Sequence, residues 1–267
     1  MSQLDCVITS LKENDFPTPT PEEVAEIRAM AKEKAVNRRS DERVERIYGQ
    51  LAKTLRAAWG IQGDHSFALY RGEMARVPED DGTEFKEISR LRAIHRQRFA
   101  DISGALGNLD VRIEDGGLKS VARVHLKAEE KLRLGEKITC SDLTRMRVVT
   151  PDLRSLGSTY VRLRQFLKEV DLFVVTNSIH YSDLSKRHET PFRGILISFC
   201  GLNEENPDDQ IATEIQFVTR RMRMMLSLNH PFDVSKELAW PSKKAKAYVH
   251  RLMNIASILD LQEYIRC

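Results

Sequence analysis

Ile211-Ala212-Thr213-Glu214-Ile215-Gln216-Phe217-Val218-Thr219 sets a carboxylate and an amide inside an otherwise apolar and β-branched run. Side chains alternate between the two faces of an extended strand. Glu214 and Gln216 therefore share one face, while Ile215 and Phe217 share the other. The apolar face belongs against a core, and a carboxylate turned the opposite way needs a partner or water. A second run, Ser141-Asp142-Leu143-Thr144-Arg145-Met146-Arg147-Val148-Val149, has a related build: Asp142 leads it, and Arg145 and Arg147 fall on one side. Two carboxylates on neighbouring strands are what metal-assisted phosphoryl chemistry requires, because Mg²⁺ takes one or two protein carboxylates and fills its octahedron with phosphate oxygens and water.

The segments around these runs predict the rest of the fold. Strand character covers Leu143 to Thr150, Leu172 to Thr176, Gly194 to Cys200 and Ile211 to Val218, with a helix from Leu153 to Val170 after the first. A helix from Leu118 to Leu134 precedes them, with Gly116-Gly117 read as its starting turn. A helix from Thr219 to Leu228 and a last one from about Ser242 to Tyr264 follow, the last with Val249, Leu252, Met253, Ile255, Ala256, Leu259 and Leu261 in its apolar stripe. Two successive strands without a helix between them argue for an α+β fold, a mixed β-sheet of about four to five strands flanked by helices, over a doubly wound parallel one.

The N-terminal third reads as helices. Thr20, Pro21 and Glu23 form a capping box that starts a helix running to about Val36. A second begins near Ser40, with Val44, Ile47, Leu51, Leu55 and Trp59 on one face, and stops at Gly60. The stretch to Gly82, with the acidic run Glu79-Asp80-Asp81, reads as a long connection. A third helix spans Thr83 to Leu106, with Phe85, Ile88, Leu91, Ile94, Phe99 and Ile102 on one side. The expected division is a helical N-terminal region (1–106), a sheet domain (107–232) and a C-terminal helix (233–267) packed on that domain or on a second subunit.

Composition narrows the function classes. Among 267 residues, 13 Gly and 9 Pro are too few for a disordered chain, and 41% hydrophobic residues supply a sizeable core. A net charge of +3 is too small to announce nucleic acid by itself. The short clusters Arg220-Arg221-Met222-Arg223 and Lys243-Lys244-Ala245-Lys246 leave an RNA-binding module as an alternative. Cys6, Cys140, Cys200 and Cys267 have no metal or redox spacing and are expected as reduced thiols. The seven histidines form no HD or HExxH pair, which disfavours a metal-dependent hydrolase. No apolar run reaches the length of a membrane span, and Met1-Ser2-Gln3-Leu4-Asp5-Cys6 lacks the build of a secretory signal, so a cytoplasmic location is expected.

Cations are placed to meet a polyphosphate. Lys119, Arg123 and Lys127 lie along one helix face, Arg147 shares a side with Arg145, and Lys186, Arg187 and Arg193 form a second group beside Phe192, whose ring offers a stacking surface. In order and spacing, four blocks resemble the synthetase domain of the RelA/SpoT family, which moves pyrophosphate from ATP to the 3′-hydroxyl of a guanine nucleotide. They are Lys119-Ser120 with Lys127; Asp142 to Val148, with Arg147; Asp183 through Arg187 to Pro191-Phe192-Arg193; and Glu214-Ile215-Gln216-Phe217-Val218-Thr219. The resemblance covers about residues 110–232.

It implies a nucleotidyltransferase-like fold and an ATP-dependent pyrophosphokinase of the small or toxic small alarmone synthetase kind. Asp142 and Glu214 would hold Mg²⁺, and Glu214 would also help deprotonate the attacking hydroxyl. Lys119, Lys127 and Arg147, with Ser120 and Arg123 on the same helix, would grip the ATP phosphates. Phe192 would stack the acceptor base, with Arg187, Arg193 and Gln216 completing substrate binding. The implied partners are ATP as donor and GTP, GDP, another nucleotide or tRNA as acceptor, with a second copy of the chain and an antitoxin or regulatory protein as further expected partners. Where the family carries arginine, tyrosine, histidine, arginine and histidine, this chain carries Gly117, Phe192, Leu196, Val218 and Arg223. Those departures leave two alternatives open: an altered acceptor, such as an adenine nucleotide or a tRNA 3′ end, or a catalytically inactive nucleotide-sensing or protein- or RNA-binding module.

Overall fold

The structure is a computed structural model that describes residues 2–32, 83–119, 124, 126, 129, 130, 132–135, 142–179, 193–201, 211–234 and 237–266. The helix expected from Ser40 and the acidic run Glu79-Asp80-Asp81 lie outside the described residues.

Five strands form one sheet in the order β1-β2-β5-β4-β3: β1 (Arg112–Leu118), β2 (Thr144–Thr150), β3 (Leu172–Ile179), β4 (Ile195–Gly201) and β5 (Thr213–Thr219). Only β2 and β5 run parallel; every other neighbouring pair is antiparallel. The helices are α1 (Gln3–Glu13), α2 (Pro21–Ala31), α3 (Thr83–Leu106), α4 (Leu153–Glu169), α5 (Arg220–Asn229) and α6 (Lys243–Arg266). The expected mixed α+β architecture is present.

Period-two patterning decides what each face meets. Met146, Val148, Ile215 and Phe217 bury against Tyr160, Leu163 and Leu156 of α4 and Ile102 of α3. Tyr160 meets Phe217 edge-on at 5.7 Å between ring centres, a favoured aromatic geometry. The opposite face buries only Val149 and Val218 from these two strands, beneath α5, α6, α1 and α2. Leu4, Val7 and Leu11 of α1, Ile27 and Met30 of α2, and Val249, Leu252 and Met253 of α6 thus share one apolar cluster. Farther along, α6 contributes Ile258 and Leu261 to the other core. Asp260 is buried between them; its carboxylate accepts hydrogen bonds from Thr219 Oγ1 (2.5 Å) and Arg221 Nη1 (3.0 Å).

Three local expectations are corrected. Gly116-Gly117 does not start a helix but lies inside β1, where the register slips between Asp115 and Gly117. A Cβ on Gly116 would stand 2.8 Å from the Arg145 carbonyl oxygen, and Gly117 has φ +62°, so the glycines allow a bulge that side chains would oppose. Asp115 fixes it: one carboxylate oxygen accepts the Gly117 N–H (2.7 Å) and lies 2.6 Å from His95 Nε2. Helical residues therefore begin after Lys119, as seen at Val124, Leu126, Glu129 and Glu130.

The helix starting at Pro21 ends at Ala31 instead of Val36, because the Lys32 N–H caps it on the Ala29 and Met30 carbonyls. Finally, α1 occupies a stretch to which the sequence reading assigns no helix, although Ser2 and Asp5 form a reciprocal capping box at its start.

Candidate functional site

The parallel β2–β5 pair aligns the residues singled out in the sequence. Arg145 lies opposite Glu214, and Arg147 opposite Gln216. On the other side of β2, Glu114 of β1 lies opposite Arg147. Glu114, Arg147 and Gln216 thus form a row across three strands, with Arg145 and Glu214 in the row beside it. Alternation places all five on the face that α5 and α6 leave partly open.

Hydrogen bonds tie these rows together. Arg147 donates through Nε (3.2 Å) and Nη2 (3.1 Å) to Gln216 Oε1, and through Nη1 (3.3 Å) to Glu114 Oε2. The Gln216 amide donates to Glu214 Oε1 at 3.2 Å. Glu114 Oε1 accepts from Arg223 Nε of α5 (2.8 Å) and pairs with Arg112 (2.7 Å). Arg223 in turn donates through Nη1 to Glu23 Oε1 (3.1 Å), whose second oxygen accepts the Thr20 N–H at the start of α2. Burial pulls the Arg147 guanidinium below its ordinary value, Glu114 pulls it back up, and the nearby Arg223 and Arg145 charges push it down again.

The second pair lies at the heads of the strands. Asp142 stands two residues before β2 and forms an ion pair with Lys119, just after β1; both side chains are 15% exposed. Since Thr144 pairs with Thr213, Asp142 and Glu214 belong to the same end of two adjacent parallel strands. From the opposite face, buried Arg98 of α3 secures this end: it donates to the Ile211 carbonyl and to Thr213 Oγ1 (2.8 Å), which lies 2.6 Å from Thr144 Oγ1.

A cavity of about 320 Å³ runs along Arg145, Arg147 and Gln216, walled by Arg223 of α5 and by Phe16 and Pro17 of the α1–α2 connection. Among the described residues, no three His, Cys, Asp or Glu side chains gather as a metal site. Asp142, paired with Lys119, and Glu214, bonded to Gln216, are two hard carboxylates, and such a set suits Mg²⁺ as an ion shared with phosphate oxygens.

The structure therefore brings Arg147, Glu214 and Gln216 into one bonded group, with Lys119 and Asp142 as a second pair at the same end of the sheet. Arg193 is buried just before β4. Ser120, Arg123, Lys127, Arg187 and Phe192 lie outside the described residues. Glu114, Glu23 and Arg223 join the site, and Arg98 secures its end from the opposite face; of these the sequence points only to Arg223, as a departure from the resembled pattern. The alternation Arg112-Ile113-Glu114 is the one local signal that marks Glu114 as a strand residue on the polar side.

Solved structures share this α+β fold. Small alarmone synthetase 1 from Bacillus subtilis, bound to its product pppGpp, superposes with a TM-score of 0.53 over 70% of this chain and 97% of that one, at 19% identity. The chain has the small alarmone synthetase fold. A GTP pyrophosphokinase family protein from Streptococcus pneumoniae shares this synthetase fold with a TM-score of 0.52, covering 69% of this chain and 94% of the other at 15% identity. No protein-family model matches the sequence, and no curated protein matches it significantly. Likeness to the synthetases thus resides in the backbone fold. No helix among the described residues is long and apolar enough to cross a membrane.

Proposed function

We propose that this chain is an ATP-dependent pyrophosphokinase that transfers the β,γ-pyrophosphate of ATP to a ribose 3′-hydroxyl of a nucleotide or of a tRNA 3′ end. The observation that carries this reading is the bonded Arg147–Gln216–Glu214 group on the parallel β2–β5 pair, with the Lys119–Asp142 ion pair at the same end of the sheet, within a fold shared with pyrophosphokinases. The acceptor hydroxyl oxygen attacks the β-phosphorus of ATP. The bond from that phosphorus to the bridging oxygen of the α-phosphate breaks, AMP leaves, and the hydroxyl proton passes to Glu214. Such a transfer demands alignment and charge neutralisation more than covalent help from the protein.

Asp142 and Glu214 are the residues that would hold Mg²⁺, which when bound supplies positive charge to the phosphate oxygens. Lys119, now paired with Asp142, turns to the donor phosphates with Ser120, Arg123 and Lys127, while Arg187 and Phe192 receive the acceptor. Gln216 orients Glu214 through the 3.2 Å hydrogen bond that its side-chain amide donates.

A second reading is supported by one observation: Lys119, Arg147 and Arg223 are already bonded to the chain's own carboxylates. It describes a nucleotide-binding module without turnover. Incubation with ATP labelled in the β or γ position, Mg²⁺, and GDP, GTP, ATP or bulk tRNA separates the two. Label on one acceptor with release of AMP is expected. Nucleotide binding with no labelled product on any acceptor would establish the second reading instead.

A further inference from the structure

We infer that Glu114 is a positioning residue that orients the Arg147 and Arg223 guanidinium groups toward an anionic nucleotide in the adjoining cavity. This rests on the nucleotide-binding part of the function proposed above.

Three arginines, Arg145, Arg147 and Arg223, border one cavity of about 320 Å³. Like charges this close repel and would splay apart without a counter-charge between them. Glu114 supplies it for Arg147 and Arg223, which bond to different oxygens, and Oε1 also pairs with Arg112. Oε2 accepts from Arg147 on β2, and Oε1 from Arg223 on α5. One carboxylate therefore joins a strand and a helix that meet nowhere else through a charged pair among the described residues.

The arrangement also fixes the plane of Arg147. Glu114 holds one edge of its guanidinium, and the Gln216 carbonyl holds the other through two bonds. Held on both sides in the plane of its N–H groups, Arg147 is ordered before any ligand arrives, which spares the ordering cost that a free arginine incurs on binding. Glu114 is not a mobile stand-in for the ligand. Its backbone is paired opposite Arg147 in β1, its side chain is 20% exposed, and the bulge directly after it is locked by Asp115 and Gly117. The chain from Glu114 through Arg223 to Glu23 extends this support to the first turn of α2.

The test uses the full chain, with ATP as the probe. Calorimetric ATP affinity is measured for the wild type, E114Q, E114D and R223K, together with kcat and KM for transfer. E114Q keeps the volume and removes the charge; the affinity for ATP should fall about tenfold, within the range for a lost charge-assisted hydrogen bond. KM should rise in step while kcat moves much less, since the arginines bind rather than react. E114D, charged but one methylene shorter, should lie between. R223K, whose ammonium cannot fork between Glu114 and Glu23, should weaken binding in the same direction and serves if E114Q does not fold.

Unchanged affinity in folded E114Q overturns the inference. Tighter ATP binding also overturns it, by showing the carboxylate to be a competitor. Loss of thermal stability with wild-type affinity in the folded fraction reduces Glu114 to a structural role, with the same consequence. A wild type that binds ATP but transfers nothing removes the transferase reading and leaves this test intact. Transfer by the wild type with E114Q indistinguishable from it removes this inference alone. A wild type that binds no nucleotide removes both.

Discussion

On one face of the sheet, β2 and β5 present two different regions. At one end Arg147, Glu214 and Gln216 stand half-buried in a hydrogen-bonded group, with half-buried Arg145 beside them; at the other Val149 and Val218 are sealed under α5, α6, α1 and α2. The strands and the face are the same, and only the cover differs. The helical layer spans the sheet where the strands offer valines and stops where they offer charge. Burying the charged end would cost several kcal/mol per unpaired ion. Among the described residues, what the helices leave uncovered is a polar cleft on a sheet whose other face is buried along β2, β4 and β5.

Two substitutions on opposite faces of β5 should break this contrast in opposite ways. Phe217→Ala, on the packed face against Tyr160, should cost about 3–5 kcal/mol of stability, read as a large fall in the denaturant midpoint. Glu214→Gln keeps the side-chain volume on the open face. It should lower kcat for transfer by roughly 10²–10³-fold, the scale of a lost transition-state contact, with the thermal midpoint nearly unchanged. Equal effects on stability from both would mean that the two faces do not differ as described.

Asp260 sharpens the comparison at the sealed end. Burial pushes its carboxyl up to about 6, against the opposing pull of Thr219 and Arg221. The folded carboxyl keeps its proton to higher pH than the unfolded one, so the folded state binds more protons between pH 3.8 and about 6. Stability therefore falls as pH rises through that window, by about 3 kcal/mol from this group. In Asp260→Asn that component disappears, and thermal midpoints followed from pH 4 to 7 should slope less steeply than in the wild type. An identical slope would show that the Asp260 carboxyl binds its proton equally in the folded and unfolded states.

The smallest effect is expected at the edge of the open end. Gly116→Ala forces a Cβ against the Arg145 carbonyl, and strain of this kind costs about 1–3 kcal/mol. Because the same strand carries Glu114, ATP affinity should weaken together with stability. A variant with reduced stability and unaltered ATP affinity would uncouple the bulge from the site.

How much of this could be read in the sequence depends on distance along the chain. Strands β2, β4 and β5, helix α4 and the shared side of Glu214 and Gln216 follow from short apolar periods, since alternation acts within a few residues. The bounds of helix α3, Thr83 and Leu106, are legible for the same reason. Strand β1 is not legible: Asp115-Gly116-Gly117 reads as a turn until a partner strand takes up the bulge. Helix α1 is signalled by Ser2 and Asp5, but its apolar residues gain meaning only against α6.

The sequence by itself determined which residues face together along each strand and where several helices start, because side-chain period and capping are local. Only the tertiary structure decided that β5 lies parallel beside β2, that Glu114 stands across from Arg147, and that α2 reaches Arg223 through Glu23. Those partners are separated by 33 to 200 positions. No local propensity selects among partners so distant; the shared burial of two apolar cores brings them together.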